Sequence, residues 1–203
     1  MAVMDQLPTP DPDDLTLAAA RRGDPRALRT LHDSLAAAVL GYARGNGVDD
    51  PDALANEALY RGLRDLAGFE GGGRAFRSFV FTIAHNLIVD DHRRRSRRPR
   101  TVELDRAPDP TLGATSTDPS GIAVDRVEAA RMIRWITELP PDQRSVLLLR
   151  LVSDLPIAEV ATIVGKRPGA VKALQHRGLA ALRRRLDAEG VSRGTPPTFT
   201  PVS

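Results

Sequence analysis

Residues 155–186 read LPIAEVATIVGKRPGAVKALQHRGLAALRRRL, and this stretch decides the fold. An apolar-periodic segment from Pro156 to Val164 stops at Gly165, and Pro168 opens a second one that runs to about Leu186. Glycine just past one helix and proline at the first position of the next predict two helices joined by a tight turn. In the second helix Val171, Leu174, Gly178, Leu182 and Leu186 fall on one side. The other side, entered past Arg167, presents Gly169, Ala170, Lys172, Ala173, His176 and Arg177, with Arg183 and Arg184 further along. A short helix, a turn and a longer helix with a basic outer face is the layout of a helix-turn-helix, whose second helix lies in the DNA major groove. Small or polar residues near its start allow close approach to base edges, and the later arginines reach phosphates. An ordinary helical hairpin with a solvated basic face satisfies the same pattern, so the choice falls to the rest of the chain.

Working outward toward the N-terminus, Met132, Ile133, Ile136 and Leu139 mark one face of a helix that starts near Asp125. Pro140 and Pro141 end it, and Asp142 to about Val152 forms the next. Before these, residues 99–121 hold four prolines and no apolar period, the composition of a flexible linker. The N-terminal half is again helical. Asp24 and Pro25 supply an N-cap and a first helical residue for a segment carrying Leu28, Leu31, Leu35, Val39 and Tyr42. A third helix, from Pro51 to about Ala67, aligns Ala55, Leu59, Leu63 and Leu66. After Gly71-Gly72-Gly73 a fourth, from Phe76 to about Arg98, is expected to bury Phe76, Phe79, Val80, Ile83 and Leu87. No strand-like alternation occurs. The expectation is an all-α chain of two small helical modules, residues 13–98 and 122–188, joined by the 99–121 linker, with disordered ends at 1–12 and 189–203.

Composition narrows the function classes. Net charge is only +3, yet residues 93–100, RRRSRRPR, place six arginines in eight positions. Such a block is either a polyanion-binding surface or a solvated basic tract. There is no cysteine, which removes disulfides, thiol chemistry and cysteine-ligated zinc. His32, His85, His92 and His176 are scattered, and the seven-residue step from His85 to His92 spans about 10 Å of helix, too far to share an ion. No metal or cofactor is expected. Nothing approaches the roughly 18 apolar residues of a membrane span, and no signal peptide opens the chain, so a soluble, cytoplasmic protein is expected. No acid/base pair or nucleophile motif supports an enzyme.

The two halves together resemble the extracytoplasmic-function sigma factors of the sigma-70 family. Leu139-Pro140-Pro141-Asp142-Gln143-Arg144 followed by VLLLRLV is similar to that family's entry into region four. Ile157-Ala158-Glu159-Val160-Ala161, Gly165, Gly169-Ala170-Val171-Lys172 and His176-Arg177 are similar to its helix-turn-helix. Asp52, Leu54, Asn56 and Glu57 stand where the region-two helix of the family contacts polymerase. Phe76-Arg77-Ser78-Phe79, Ile83 to Asp90 and Arg93-Arg94 resemble the helix that reads and melts the −10 element. The match covers about residues 15–100 and 125–187, in the family's order. There are departures: Ala53, Asn56 and Leu63 in region two, and Lys166, Arg167 and Leu174 in region four. Arg167 is a poor N-cap, and Leu174 removes a basic side chain from the family's −35 set.

The resemblance implies a non-enzymatic initiation factor that binds core RNA polymerase and promoter DNA, with an anti-sigma partner expected. Core binding is expected from Asp52, Asn56, Glu57, Tyr60 and Arg61. Contact with the −10 element is expected from Arg74, Arg77, Asn86, Asp90, Arg93 and Arg94, and −35 reading from Arg167, Gly169, Ala170, Lys172, Ala173, His176, Arg177, Arg183 and Arg184. On the third helix Glu57 and Arg61 also pair as any exposed i, i+4 residues would, so only the resemblance assigns them to polymerase. The triple-glycine loop lacks the strand and the Gly-Lys-Ser/Thr of a phosphate cradle. Beside a basic helix in a strand-separating protein, it suits an unstacked base instead. A stand-alone helix-turn-helix regulator, with 13–98 as a ligand-binding or dimerisation domain, remains the rival. Co-elution with core polymerase separates the two.

Overall fold

The computed structural model describes residues 11–97, 131–132, 134–151 and 153–188. Helix α1 is Asp14–Arg21, α2 Pro25–Gly45, α3 Pro51–Arg64, and a 3-10 turn, Asp65–Gly68, leads to α4, Gly73–Arg97. Helical turns at 131–132 and 134–137 form α5, followed by α6, Pro141–Leu151, α7, Ile157–Ile163, and α8, Pro168–Ala188. No strand occurs among the described residues. The linker at 99–121 and the C-terminal tail lie outside them.

Local chemistry sets the helix starts. Asp13, Asp24 and Asp50 each accept a backbone N–H of the first turn that follows, from Thr16, Arg26 and Ala53 at 2.8, 2.8 and 2.9 Å. Each cap satisfies a donor that the helix cannot pair internally. Pro25 and Pro51 then occupy a first helical position, where the missing N–H costs nothing. Two differences from the sequence reading appear at this level. Pro12, expected in a disordered end, is buried. Helix α4 begins three residues early, at Gly73, because Asp14 of α1 accepts the Gly73 N–H at 2.9 Å.

The N-terminal helices pack around Leu17, Leu31, Leu35, Val39, Tyr42, Leu59, Leu66, Phe76, Val80, Phe81 and Ile88, all nearly inaccessible. The α2 stripe is as expected, with Leu28 at its edge. The α4 stripe is rotated. Phe76 and Val80 are buried, but Phe81, Ala84 and Ile88 join them, whereas Phe79, Ile83 and Leu87 are only half-buried. Phe76, Val80, Ala84 and Ile88 recur every four residues, and this row faces the interior. The C-terminal helices close around Trp135, Ile136, Leu139, Leu147, Leu149, Leu155, Val160, Val171, Leu174 and Leu182.

The two groups of helices also touch. Gly45 of α2 lies against Leu148 of α6, where a Cβ would meet the Leu148 methyls at 2.7 Å. The buried Ser145 hydroxyl donates to the Asn46 side-chain oxygen at 2.9 Å.

Candidate DNA and polymerase interfaces

The turn between α7 and α8 follows from Gly165. Its φ is +64°, a left-handed conformation that costs an L side chain energy and glycine little. That geometry turns the Lys166 N–H back to the Ala161 carbonyl at 2.9 Å and the Gly165 N–H to Thr162 at 3.3 Å, a Schellman closure of α7. The Arg167 carbonyl then accepts from Val171 at 3.1 Å, which sets the first turn of α8 despite the absence of a capping side chain at that position. At about 100° per residue, Gly169, Ala170, Lys172, Ala173, His176, Arg177, Arg183 and Arg184 share one half of α8. All eight are exposed, as is Arg167. Val171, Leu174, Gly178 and Leu182 line the other half and are buried. Two departures from the family pattern thereby acquire structural roles. Leu174, 8% exposed, is a core residue, and Lys166 pairs with Asp142 of α6 at 3.0 Å.

Helix α4 does not present its expected contact residues as one set. Asn86, Asp90, Arg93 and Arg94 are exposed and lie within about a third of a turn of one another. Arg93 leans on Asp90 at 3.6 Å. Arg74 lies on a different side, with Ser78 and His85. Its Nε donates to Glu159 of α7 at 2.7 Å, and the Ser78 hydroxyl donates to the same carboxylate. Arg77 corrects the sequence reading outright. It is 2% exposed, 3.8 Å from Asp11, and burial lowers its pKa, with Asp11, Asp154 and Glu159 opposing that shift. A guanidinium at that depth faces protein carboxylates, so Arg77 is not on the surface in this arrangement of the helices.

On α3, Asp52, Asn56, Glu57, Tyr60 and Arg61 are all exposed and fall on one half of the helix, opposite Ala55, Ala58 and Leu59. Glu57 and Arg61 pair at 2.7 Å, and Asp52 meets Arg44 of α2 at 3.4 Å. Tyr60 stands out between them at 62% exposure, a large amphipathic ring of the kind that anchors protein interfaces.

Contacts between the helix groups were not legible from the sequence. Glu159 carried no distinguishing signal within the helix-turn-helix pattern, and Asn46 and Ser145 looked like ordinary polar positions. His85, one of the scattered histidines, is half-buried, with Nδ1 2.9 Å from the Tyr42 hydroxyl. Burial holds the His85 pKa below its usual value, with Lys166 acting the same way and Asp142 opposing. His92 is lowered too, first by burial, then by Arg95 and Arg144. The unfolded chain, with imidazoles near pH 6.5, therefore binds protons that the folded chain refuses. Stability present above about pH 6.5 is lost as the pH falls below it. The thermal midpoint is expected to drop between about pH 7 and pH 5, and His85→Gln to flatten that drop. Calorimetry across the range checks this, and a midpoint unchanged by acidification contradicts it.

An exposed basic helix after a glycine turn, preceded by a group of helices with its own basic helix, is the arrangement of a helix-turn-helix protein. Comparison with known proteins makes this specific. Residues 28–98 match sigma-70 region 2, and residues 130–182 match sigma-70 region 4. The chain is 31% identical over 184 residues to the ECF RNA polymerase sigma factor SigD of Mycobacterium tuberculosis, covering 87% of this chain and 85% of SigD. It is also 31% identical over 176 residues to ShbA of Streptomyces griseus, covering 81% and 90% of the two chains. Among solved structures, CnrH in complex with the cytosolic domain of CnrY aligns with a TM-score of 0.63 at 25% identity, over 88% of this chain and 99% of that one. The chain belongs to the extracytoplasmic-function sigma factors of the sigma-70 family. A regulator that binds DNA without polymerase is not favoured.

Proposed function

We propose that this sigma factor divides its work among three surfaces. The α3 face, with Tyr60 at its centre, docks on core polymerase. Asn86, Asp90, Arg93 and Arg94 on α4, together with Arg74, engage the −10 element, and the exposed half of α8 reads the −35 element. The observation that carries this reading is the segregation on α8. Every expected contact residue is solvent-exposed on one half, and every apolar stripe residue except Leu186 is buried on the other. The protein supplies specificity and no chemistry of its own, and it acts in the cytoplasm. CnrH is held by the cytosolic domain of CnrY. A comparable anti-sigma partner is proposed for this chain.

The contacts between helix groups add a requirement. The −35 and −10 elements lie about 25 base pairs apart, roughly 85 Å of duplex. Here α7, which precedes the reading helix, touches α4 directly through Glu159 and Arg74. Two packed helix layers separate elements by about 20 Å, so both DNA elements are reached only after the groups part. The chain between Arg97 and Arg131 is long enough for this, with a fully extended reach of roughly 110 Å. Opening frees the already exposed Arg74 from its Glu159 partner.

The test is transcription from a genomic library by core polymerase with and without the purified full chain. Start sites that appear only with the chain, preceded by two shared elements, are the expected result. Specific duplex binding by the chain alone, with no co-elution with core polymerase, contradicts the reading.

A further inference from the structure

The segment preceding α2 was not assigned any role by sequence reasoning, yet it holds the loop at the start of α4 at several points. Asp14 Oδ1 accepts the Gly73 N–H at 2.9 Å across 59 residues of sequence. Arg21 Nη2 donates to the Gly71 carbonyl, and its guanidinium carbon lies 5.8 Å from the centre of the Phe69 ring. The Pro12 backbone passes so close that a Cβ on Gly73 would sit 1.6 Å from its carbonyl oxygen, and a Cβ on Gly72 would sit 2.9 Å from Asp14 Oδ1. The glycines therefore do more than loosen the loop. Two of them make room for the arm, and Gly71, at φ +141°, takes a conformation that side chains disfavour.

What the arm holds is chemically suited to a base. Phe69 and Phe79 stack with centroids 5.2 Å apart, and both are only half-buried. Exposed backbone at Gly71 lies beside Phe69, where a Cβ on the glycine would sit 3.2 Å from the ring. Half-exposed aromatic faces are a stacking platform for an unstacked nucleotide. Three consecutive glycines would otherwise sample many paths, and selectivity for one base requires one path.

We propose that the N-terminal arm, residues 11–21, is a positioning element for −10 reading. Asp14 and Arg21, without touching DNA, fix the path of loop 69–73 and so set which base the loop accepts. This rests on the assignment of α4 and its loop to the −10 element.

The experiment is promoter-library selection by holoenzymes carrying wild-type, Asp14→Ala, Asp14→Asn or Arg21→Ala chains, with strand opening followed by 2-aminopurine fluorescence. Asp14→Ala and Arg21→Ala are expected to reduce base preference at one −10 position roughly fivefold, the scale of a lost helix cap, and to slow opening. The −35 preference should not change. Asp14→Asn should stay near wild type, because its amide oxygen still accepts the Gly73 N–H. Should Asp14→Ala fail to assemble, Arg21→Ala, which leaves that cap intact, decides alone. A −10 preference and opening rate matching wild type in the alanine variants overturn the proposal. So does an equal loss at both promoter elements, which would mean general loosening. A wild-type holoenzyme with no −10 preference fails earlier, at the assignment of α4, and takes the proposal with it.

Discussion

Exchanging the charges of Glu57 and Arg61, with both replaced at once, is expected to weaken binding to core polymerase roughly a hundredfold, or about 3 kcal/mol. The pair stands at 2.7 Å on the exposed half of α3, with both side chains close to half accessible. Exposed pairs of this kind contribute only about 0.3–0.5 kcal/mol to a helix, and the exchange preserves the pairing, so folding should survive. Binding responds differently. Each new charge would face a partner surface arranged for its opposite, and like-charge contact at an interface costs several kcal/mol. The loss should ease as salt is raised, because screening shortens the reach of the repulsion. Titration of labelled core polymerase at two salt concentrations checks this. Unchanged affinity would remove this face from the interface.

The second large effect concerns the spacing of α6 and α8. A Cβ on Gly178 would lie 2.7 Å from Leu147 Cδ1 and 3.1 Å from its Cγ, and Leu147 is fully buried. Gly178→Leu has two opposing consequences. Removing a glycine from a helix interior gains about 0.5–1 kcal/mol. Forcing a side chain into a filled core loses about 1–3 kcal/mol and sometimes more, and the clash reaches the Leu147 Cγ as well as a methyl that can rotate away. Overpacking wins. The reading module should lose about 2 kcal/mol or more, and hydrogen exchange should place the loss in α6 and α8. A more stable variant would show that helix propensity outweighs the close approach, and the account of why α8 carries glycine at this position would be wrong.

How far the sequence revealed these features depends on whether the cause is local. The boundaries of α2 and α8 were legible because Asp24, Pro25, Gly165 and Pro168 act within a few residues of themselves. The stripe of α8 was legible because its buried residues belong to one short module. On α4 the stripe was misread by a small rotation: the sequence offers two plausible apolar rows, and only packing against α2 and α3 selects Phe76, Val80, Ala84 and Ile88. Arg77 was assigned to DNA through the family resemblance alone. Its buried charge is offset by Asp11, Asp154 and Glu159, which are remote in sequence. The early start of α4 has the same origin, a cap supplied by Asp14 from another helix. The face of α3 was legible as exposed, but its proposed assignment to polymerase rests on family resemblance.

The claim on which the rest depends is that the exposed half of α8 reads the −35 element, with Lys172 near the base edges and Arg184 on the phosphates. Promoter selection at fixed salt by Lys172→Ala and Arg184→Ala holoenzymes, with affinities measured across a salt series, tests it most directly. Lys172→Ala is expected to weaken the preferred −35 element by about 1–3 kcal/mol and to relax preference at one position. Arg184→Ala should weaken all sequences alike and lower the slope of log K against log salt by about 1. Identical −35 preferences in the wild-type and Lys172→Ala holoenzymes would contradict the assignment and leave α8 a solvated basic face.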